Sequence, residues 1–338
     1  MNRKEKIFRV AAVQLSPVLF DRDGTMEKVL KAIEECGKEG IRLVVFPETC
    51  VPNYPYFAWV NPPAVIHDLF AKHHEQAVDV PGPVTAAVGS AAKRTGMVVV
   101  LGVNERDGGS LYNTQLVFDS DGSLLGKRRK IMPTFQERMV WGWGDGSGLR
   151  VFETAVGRVG ALICAEHFMP LARYALIAQR EEIHCSHFPG GIGGKSMTRQ
   201  IDAAIRHHAI ESGAFVINAT AWLTERQREE ISPEKSMQRY LMGGNHTAIV
   251  GPYGSYITEP LQEGEGMVVA EIDLKEIVRA KNLVDTVGHY ARPDILRLSI
   301  DFSTRTIMSG LASELQEIPS RTPIISETQD PGPRSNKG

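Results

Sequence analysis

The chain has 338 residues, 42% of them hydrophobic, so it can bury a large core as one domain or two. Its formal net charge of −2 and scattered basic residues, with Lys127–Lys130 the only tight basic cluster, argue against a nucleic-acid partner. No apolar run approaches the ~20 residues of a membrane span, and the charged first residues lead directly into a strand pattern. Because the four cysteines show no paired spacing, we expect free thiols in a reducing, cytoplasmic environment.

Strand and helix patterns alternate along the chain, which predicts layers of helices packed on sheets. The predicted elements of the first half are strand 8–15, helix 25–36, strand 42–46, helix 83–95, strand 97–103 and a hairpin of 112–118 with 123–131. Those of the second half are a hairpin of 149–154 with 158–164, helix 170–180, strand 182–188, helix 196–212 and strands 214–219, 246–250 and 267–272. The two hairpins are expected to bring the strand ends described next to one place.

Three of these strands end on a chemically active side chain. The strand 158–164 ends on Cys164, strand 42–46 leads through Pro47 into Glu48, and strand 123–131 carries Lys130 near its end. A thiol with an ordinary pKa of ~8.5 needs a base or a cation to become a nucleophile. Glu48 can act as the base, and Lys130 can stabilise the thiolate. The sequence therefore predicts a thiol hydrolase.

Each of these three residues also has a structural interpretation. A cysteine at the end of an apolar strand is commonly a small buried hydrophobe. Glu48 could cap a turn, and Lys130 is one of several cations in a solvated run. The local sequence around each residue decides between the two interpretations.

The local sequences resemble the nitrilase branch of the carbon–nitrogen hydrolase superfamily over about residues 8–296. The strings that carry the resemblance are 46–49 (FPET), 130–134 (KIMPT), 164–167 (CAEH), 137–142 (ERMVWG), 170–175 (PLARYA) and 288–294 (GHYARPD). One position departs from the pattern, because nitrilases commonly follow the cysteine with Trp and this chain has Ala165. The backbone N–H of Ala165 is still available as a donor, so the departure bears on substrate shape and on the ratio of products.

The resemblance implies an α+β fold, a four-layer α-β-β-α sandwich that forms homodimers or larger spiral homo-oligomers without a metal or organic cofactor. It assigns Glu48, Lys130 and Cys164 as general base, stabilising cation and nucleophile of a Glu-Lys-Cys triad. It adds Glu137 as a second carboxylate that positions Lys130 or the hydrolytic water. We expect residues 1–312 to form this hydrolase domain.

The activity implied by the resemblance is hydrolysis of a small-molecule nitrile to a carboxylic acid and ammonia through a thioimidate and a thioester on Cys164. An amidase or carbamoyl hydrolase with the same triad and a cyanide-hydrolysing enzyme are the alternatives. A non-catalytic ligand-binding member of the fold is a further one, which the intact triad disfavours.

Four more residues are expected to contact the substrate. The aromatic segment 52–59 directly follows Glu48, which places Tyr54 and Trp59 to line a pocket, although the segment could equally be buried at a subunit contact. Ala165 and His167 follow the nucleophile and complete the set. In a turn, His167 could also reach the thiol as a Cys-His dyad, but a role at a helix start is favoured.

No metal site is expected from the spacing of histidines and cysteines. His184 and Cys185 point to opposite faces of a strand, and no second pair has ligand spacing. His208 falls in a predicted helix, where it is expected to pack or to lie on the surface. The tail 313–338 is rich in Pro, Ser and Thr and is predicted to be disordered or to lie on a partner. The segments 170–180 and 295–300 are expected to form a dimer contact.

Overall fold

Short apolar runs separated by amphipathic segments fold into two mixed β-sheets with helices on their outer faces. The computed structural model describes residues 7–305, and contacts group the described residues up to Ser303 into one compact unit. Only Thr304 and Arg305 are described beyond that unit, so the predicted tail 313–338 lies outside the described residues.

The strands lie close to the predicted positions. They are β1 (Ile7–Gln14), β2 (Ile41–Val45), β3 (Val78–Asp79), β4 (Val98–Asp107), β5 (Ser110–Phe118), β6 (Leu124–Arg129), β7 (Phe152–Thr154), β8 (Gly157–Ile163), β9 (Ile183–Phe188), β10 (Phe215–Thr220), β11 (Ala248–Val250) and β12 (Gly266–Asp273). The first sheet has the order β12-β1-β2-β4-β5-β6, with β3 paired to β4, and the second has the order β11-β10-β9-β8-β7. In each sheet the central neighbours are parallel, and the hairpin strands are antiparallel.

The helices include several that the sequence pattern did not predict. They are α1 (Arg22–Lys38), α2 (Phe57–Val60), α3 (Pro63–Glu75), α4 (Pro83–Thr95), α5 (Pro170–Ala178), α6 (Gly194–Ser212), α7 (Glu225–Ile231), α8 (Lys235–Gln238) and α9 (Lys275–Leu283). The bounds of α4 are those predicted, because Pro83 opens the helix and Gly96 ends it in the left-handed region at φ 66°. None of the helices within residues 7–305 combines the length and apolarity that crossing a bilayer requires.

Three buried clusters hold the layers together. Side chains of β2 and β4 face side chains of β9 and β10 between the sheets, with Val45, Val100, Ile183 and Ile217 among them. On the outer face of the first sheet, α1 and α4 pack in a second cluster, and on the outer face of the second sheet α6 packs in a third. The predicted α+β four-layer α-β-β-α sandwich is confirmed.

Glycine is required at residue 102, where the segment after β2 crosses β4. A Cβ at Gly102 would lie 2.2 Å from the carbonyl oxygen of Pro47 and 2.6 Å from the backbone nitrogen of Thr49. The Val51 N–H donates to the Gly102 carbonyl at 3.4 Å, so the two backbones are held in contact. Glu48 lies between Pro47 and Thr49. Because Gly102 has no side chain, the backbone that carries Glu48 can pack directly against β4.

We predict that Gly102→Ala lowers the free energy of unfolding by about 1–3 kcal/mol, because the added methyl group must displace backbone atoms rather than a flexible side chain. The matched control is Gly109→Ala in the β4–β5 turn, where a Cβ meets nothing within 4 Å. Urea unfolding of the two variants and the parent measures the effect. Equal stability of the two variants would contradict the close packing of Gly102 against the backbone of Pro47 and Thr49.

Candidate active site

Glu48 lies directly beyond β2 and is 1% exposed. The Phe46 N–H donates to the Val100 carbonyl at 2.9 Å, which continues the pairing of the sheet up to the turn. Asn113 on β5 donates from Nδ2 to Glu48 Oε1 at 2.6 Å, and Lys130 Nζ lies 2.9 Å from the same oxygen. The other carboxylate oxygen, Oε2, is buried and has no hydrogen-bond partner among residues 7–305.

Lys130 follows β6 and is held at both ends. Its backbone N–H donates to the Asn113 carbonyl at 2.7 Å, and its Nζ lies 2.7 Å from Glu137 Oε2 as well as 2.9 Å from Glu48 Oε1. Burial alone would lower the pKa of Lys130, but the Glu137 and Glu48 carboxylates raise it above its ordinary value. The side chain is therefore an ammonium ion between two carboxylates.

Glu137 lies in a 3₁₀ turn, Phe135–Met139, and its side chain is supported by three donors. The Thr134 N–H donates to Oε2 at 2.6 Å, where Lys130 also binds, and the Tyr54 hydroxyl donates to Oε1 at 2.7 Å. Trp59 donates from Nε1 to the Tyr54 hydroxyl oxygen at 3.0 Å. The structure thus brings Tyr54 and Trp59 to the cluster, with Tyr54 acting on a carboxylate.

Cys164 begins the 3₁₀ turn that follows β8 and adopts φ 49°, in the left-handed region. One thiol sulfur and one carboxylate oxygen each from Glu48 and Glu137 lie within 4.8 Å of one another. Burial raises the pKa of the thiol, and Glu48 raises it further, while Lys130 and the N–H of Ala165 oppose the shift. The resting thiol is therefore protonated at neutral pH.

The Glu48 carboxylate beside this thiol has a raised pKa. Burial raises the pKa of Glu48 to about 7, against the opposing effect of Lys130. Its Oε2 is the oxygen that lacks a partner, so it is available to a proton from Cys164. The arrangement can convert a neutral thiol into a nucleophile at the moment of attack.

A cation other than Lys130 has little reason to bind in this cluster. Sulfur and carboxylate atoms at these separations can ligate a metal. The Lys130 ammonium, however, already lies 2.9 Å from Glu48 and 2.7 Å from Glu137, where it offsets one of their two negative charges and occupies the space between them. A second group with ligand spacing, formed by Glu181, His184 and His208, lies elsewhere and was not found by reasoning from sequence spacing.

Sequence reasoning also missed Glu166, which connects the lysine turn to the cysteine turn. Its Oε1 accepts the Ile131 N–H at 2.7 Å, and its Oε2 accepts the Ile163 N–H at 2.8 Å. Arg128 Nη2 lies 2.6 Å from Oε2, and both side chains are buried. Because Ile131 follows Lys130 and Ile163 precedes Cys164, this carboxylate sets the spacing of the two turns. Its place inside the string 164–167 was the available signal.

Two of the residues predicted to contact the substrate, Ala165 and His167, lie within the cysteine turn. Ala165 is half-buried and presents its N–H to the thiol. His167 is fully buried, with Nδ1 2.8 Å from the Cys164 carbonyl and Nε2 3.0 Å from His184 Nε2. Both ring nitrogens of His167 are thus engaged by the protein.

Comparison with known proteins agrees with this geometry. The carbon–nitrogen hydrolase family pattern matches residues 9–282. A nitrilase of Paraburkholderia phymatum is 55% identical over 297 residues, 88% of this chain and 87% of the relative. A nitrilase 3 from an unknown prokaryotic organism is 52% identical over 301 residues, 88% of this chain and 91% of the relative.

A solved structure agrees in fold. The crystal structure of a carbon–nitrogen hydrolase from Helicobacter pylori superimposes with a TM-score of 0.69 at 23% identity, over 86% of this chain and 97% of that one. Since the family pattern and the high-identity relatives each span most of the sequence, the chain belongs to the carbon–nitrogen hydrolase family, in its nitrilase branch.

Proposed function

We propose that the protein hydrolyses a small-molecule nitrile to a carboxylic acid and ammonia, with Cys164 as nucleophile, Glu48 as general base and Lys130 as the stabilising cation. The observation that carries the proposal is the buried cluster in which a thiol lies beside a carboxylate with an unpartnered oxygen and an ammonium ion. The relatives that are 55% and 52% identical are both named nitrilases.

In the first step, the Cys164 sulfur bonds to the nitrile carbon as Glu48 Oε2 takes the thiol proton. One π bond of the nitrile breaks, and its electron pair moves to nitrogen, where Lys130 stabilises the charge. Glu48 then gives the proton that it took from the thiol to this nitrogen, which leaves a neutral thioimidate and an ionised Glu48. Glu137 and Glu48 keep Lys130 charged for this role.

In the second step, a water molecule adds to the thioimidate carbon as Glu48 takes one of its protons and passes that proton to nitrogen. The proton of the new hydroxyl group then follows to nitrogen as ammonia leaves, and a thioester and an ionised Glu48 remain. A second water molecule, deprotonated by Glu48, displaces the Cys164 thiolate, which takes the proton back from Glu48 as the carboxylic acid is released. The whole reaction consumes a nitrile and two water molecules and needs no redox partner.

The balance between products depends on which group leaves the tetrahedral intermediate. If the thiol leaves in place of ammonia, the product is an amide. Ala165, half-buried beside the nucleophile, leaves space where related sequences commonly carry Trp. We therefore expect acid and ammonia as main products, with some amide.

The experiment that tests the function measures ammonia release from a panel of aromatic and aliphatic nitriles, cyanide and the matching amides. Nitriles should be hydrolysed faster than the amides of the same side chain, because an amide develops charge on oxygen and requires a preformed donor hole. Faster hydrolysis of every amide would favour an amidase, and turnover of cyanide alone would favour a cyanide-hydrolysing enzyme.

The same panel should detect no turnover by Cys164→Ala, while the circular dichroism spectrum stays that of the parent. Cys185→Ala is the matched control, since this buried thiol lies on β9 and should be dispensable. Mass spectrometry should find the substrate adduct on the Cys164 peptide. An adduct on Cys185 would contradict the assignment of the nucleophile.

We predict that kcat/KM rises with pH through about 7, the raised pKa of Glu48, because the carboxylate must be ionised to accept the thiol proton. Below that pH the protonated carboxyl group cannot act as base, so activity falls. Glu48→Gln should lower turnover at least ~100-fold. The residual activity of this variant should no longer rise with pH through about 7. Glu263→Gln, at an exposed loop carboxylate, should keep the parent profile. A profile that is flat between pH 5 and 8 would contradict Glu48 as the base.

We also propose that residues 1–312, which include the matched range 9–282, form the catalytic domain of a cytoplasmic homodimer or larger homo-oligomer. The four free cysteines support a reducing location. Exposed apolar side chains support association, because Leu171 on α5 is 69% exposed and Leu296 is 75% exposed. Both line one cavity of about 490 Å³.

Light scattering should therefore report at least a dimer for the parent protein. Leu296→Glu should shift the mass toward the monomer, because a charge cannot be buried unpaired in an apolar contact. Val65→Glu on α3 should leave the mass unchanged, since it adds the same charge at another exposed apolar position. A parent protein that is monomeric and fully active would rule the assembly out.

A further inference from the structure

A buried cluster of titratable side chains lies behind the cysteine turn and has no part in the chemistry described so far. Its members are His167 in the turn, Glu181 before β9, His184 on β9 and His208 on α6, each at most 1% exposed. Buried ionisable groups are costly unless they are hydrogen-bonded and paired. Their contacts therefore need an explanation.

The contacts form a continuous chain that begins at the nucleophile. His167 Nδ1 lies 2.8 Å from the Cys164 carbonyl oxygen, and His167 Nε2 lies 3.0 Å from His184 Nε2. His184 Nδ1 lies 2.9 Å from Glu181 Oε2, and His208 Nε2 lies 2.6 Å from Glu181 Oε1. The chain thus ends on a carboxylate shared by two histidines.

Counting protons along this chain shows that neutral imidazoles cannot satisfy it when Glu181 is ionised, as its pKa of about 2 indicates. A carbonyl oxygen only accepts, so His167 Nδ1 must carry hydrogen, and in a neutral ring its Nε2 is then an acceptor. His184 Nε2 must therefore donate to His167, while His184 Nδ1 must donate to the Glu181 carboxylate. His184 then carries both ring hydrogens, which makes it an imidazolium paired with Glu181. Removing that proton leaves two lone pairs facing each other at one of the contacts.

The surroundings favour a neutral His167 and an ionised Glu181. Burial, reinforced by His184 and His208, lowers the pKa of His167, which makes it the neutral ring. Burial and His208 also lower the pKa of His184, to about 4, against the Glu181 carboxylate at 2.9 Å, so the second proton is assigned to His184 by the hydrogen-bond count and not by this shift. Burial alone would raise the pKa of Glu181, yet His184 and His208 lower it to about 2. Arg128 faces His184 and disfavours its charge, and Lys281 faces Glu181.

This chain acts on the nucleophile through one peptide group. The carbonyl of Cys164 and the N–H of Ala165 belong to the same planar unit, so fixing the oxygen on one side fixes the direction of the N–H on the other. That N–H lowers the pKa of the thiol. Cys164 is also in the left-handed region at φ 49°, a conformation that needs support from its neighbours.

We propose that Glu181, His184 and His167 are positioning residues that orient the peptide group after Cys164, so that its N–H points at the reacting sulfur. Together the two rings carry one proton more than two neutral imidazoles would. The proposal rests on Cys164 as nucleophile. It assigns the charged end of the chain to the Glu181–His184 pair, with His208 as a second partner of the carboxylate.

The protonation state is tested directly by ¹⁵N NMR of the full-length protein labelled at histidine, at pH 7 and without substrate. The resonances of His184 should show hydrogen on both nitrogens, and those of His167 should show it on Nδ1 only. His184→Gln and His167→Gln assign the signals by their absence. A neutral His184 in the parent protein would overturn the proposal. Because this measurement needs no turnover, it fails or succeeds independently of the nitrilase assignment.

The positioning role is tested by Glu181→Gln, which keeps an acceptor oxygen but removes the charge. We expect kcat to fall about 10- to 100-fold with KM unchanged, since a misdirected donor affects the reacting atoms more than substrate binding. Cys185→Ala on the same strand is the matched control for disturbing β9, and it should keep the parent kcat. A parent-like kcat in folded Glu181→Gln would overturn the role, as would an equal loss in both variants. If Cys164→Ala stays active, the nitrilase assignment fails instead.

Discussion

The site depends on one buried ammonium ion, that of Lys130, placed between Glu48 and Glu137. Removing three charged groups from water costs several kcal/mol for each ion unless close partners replace the solvent. The neighbours supply them: Asn113, Tyr54 and the Thr134 N–H each donate to one of the two carboxylates. The strand ends that carry these groups must therefore come together, because each charge would be costly to bury without its partners. The site is thus expected to form together with the core.

Backbone strain falls at the same three turns. Thr49 follows Glu48, the proposed base, Phe135 opens the turn that carries Glu137, and Cys164 is the proposed nucleophile. Their φ angles are all positive, at 38°, 48° and 49°. Non-glycine residues occupy this region at a cost of order 1–3 kcal/mol, which the surrounding structure must compensate. Glu166 and His167 supply bonds to the backbone on the two sides of the cysteine turn. The hydrogen bonds hold the strained backbone in place. Together they fix the direction in which the side chains at these turns point.

Sequence patterns predicted what depends on local periodicity and on strand ends. The helix Pro83–Thr95 was predicted at both bounds because Pro and Gly mark them, and the fold and branch followed from strings around Glu48, Lys130 and Cys164. The helices α3 and α7 were missed because each buries so little, Ile66 and His73 in one and Ile231 in the other. With so few buried residues, the hydrophobic pattern of these segments shows no helical periodicity.

Residues whose role is tertiary were missed for another reason. Asn113 is a single polar residue in a strand, and nothing in its neighbours shows that it reaches Glu48. His184 and His208 are far apart in sequence and meet only because α6 packs on the second sheet. The spacing of His184 and His208 in the sequence matches no known ligand motif. Their proximity is therefore visible only in the folded structure.

The raised pKa of Cys164 bears on how long the protein survives. Peroxides and alkylating agents react with thiolates far faster than with thiols. In the proposed mechanism, Cys164 gives up its proton only to Glu48 and only as a bond to carbon forms, so the resting thiol is a poor target for oxidation. Sulfenic and sulfinic damage should therefore accumulate slowly in the protein without substrate. The raised pKa that makes the proposed nucleophile dependent on its base also protects the thiol from oxidation.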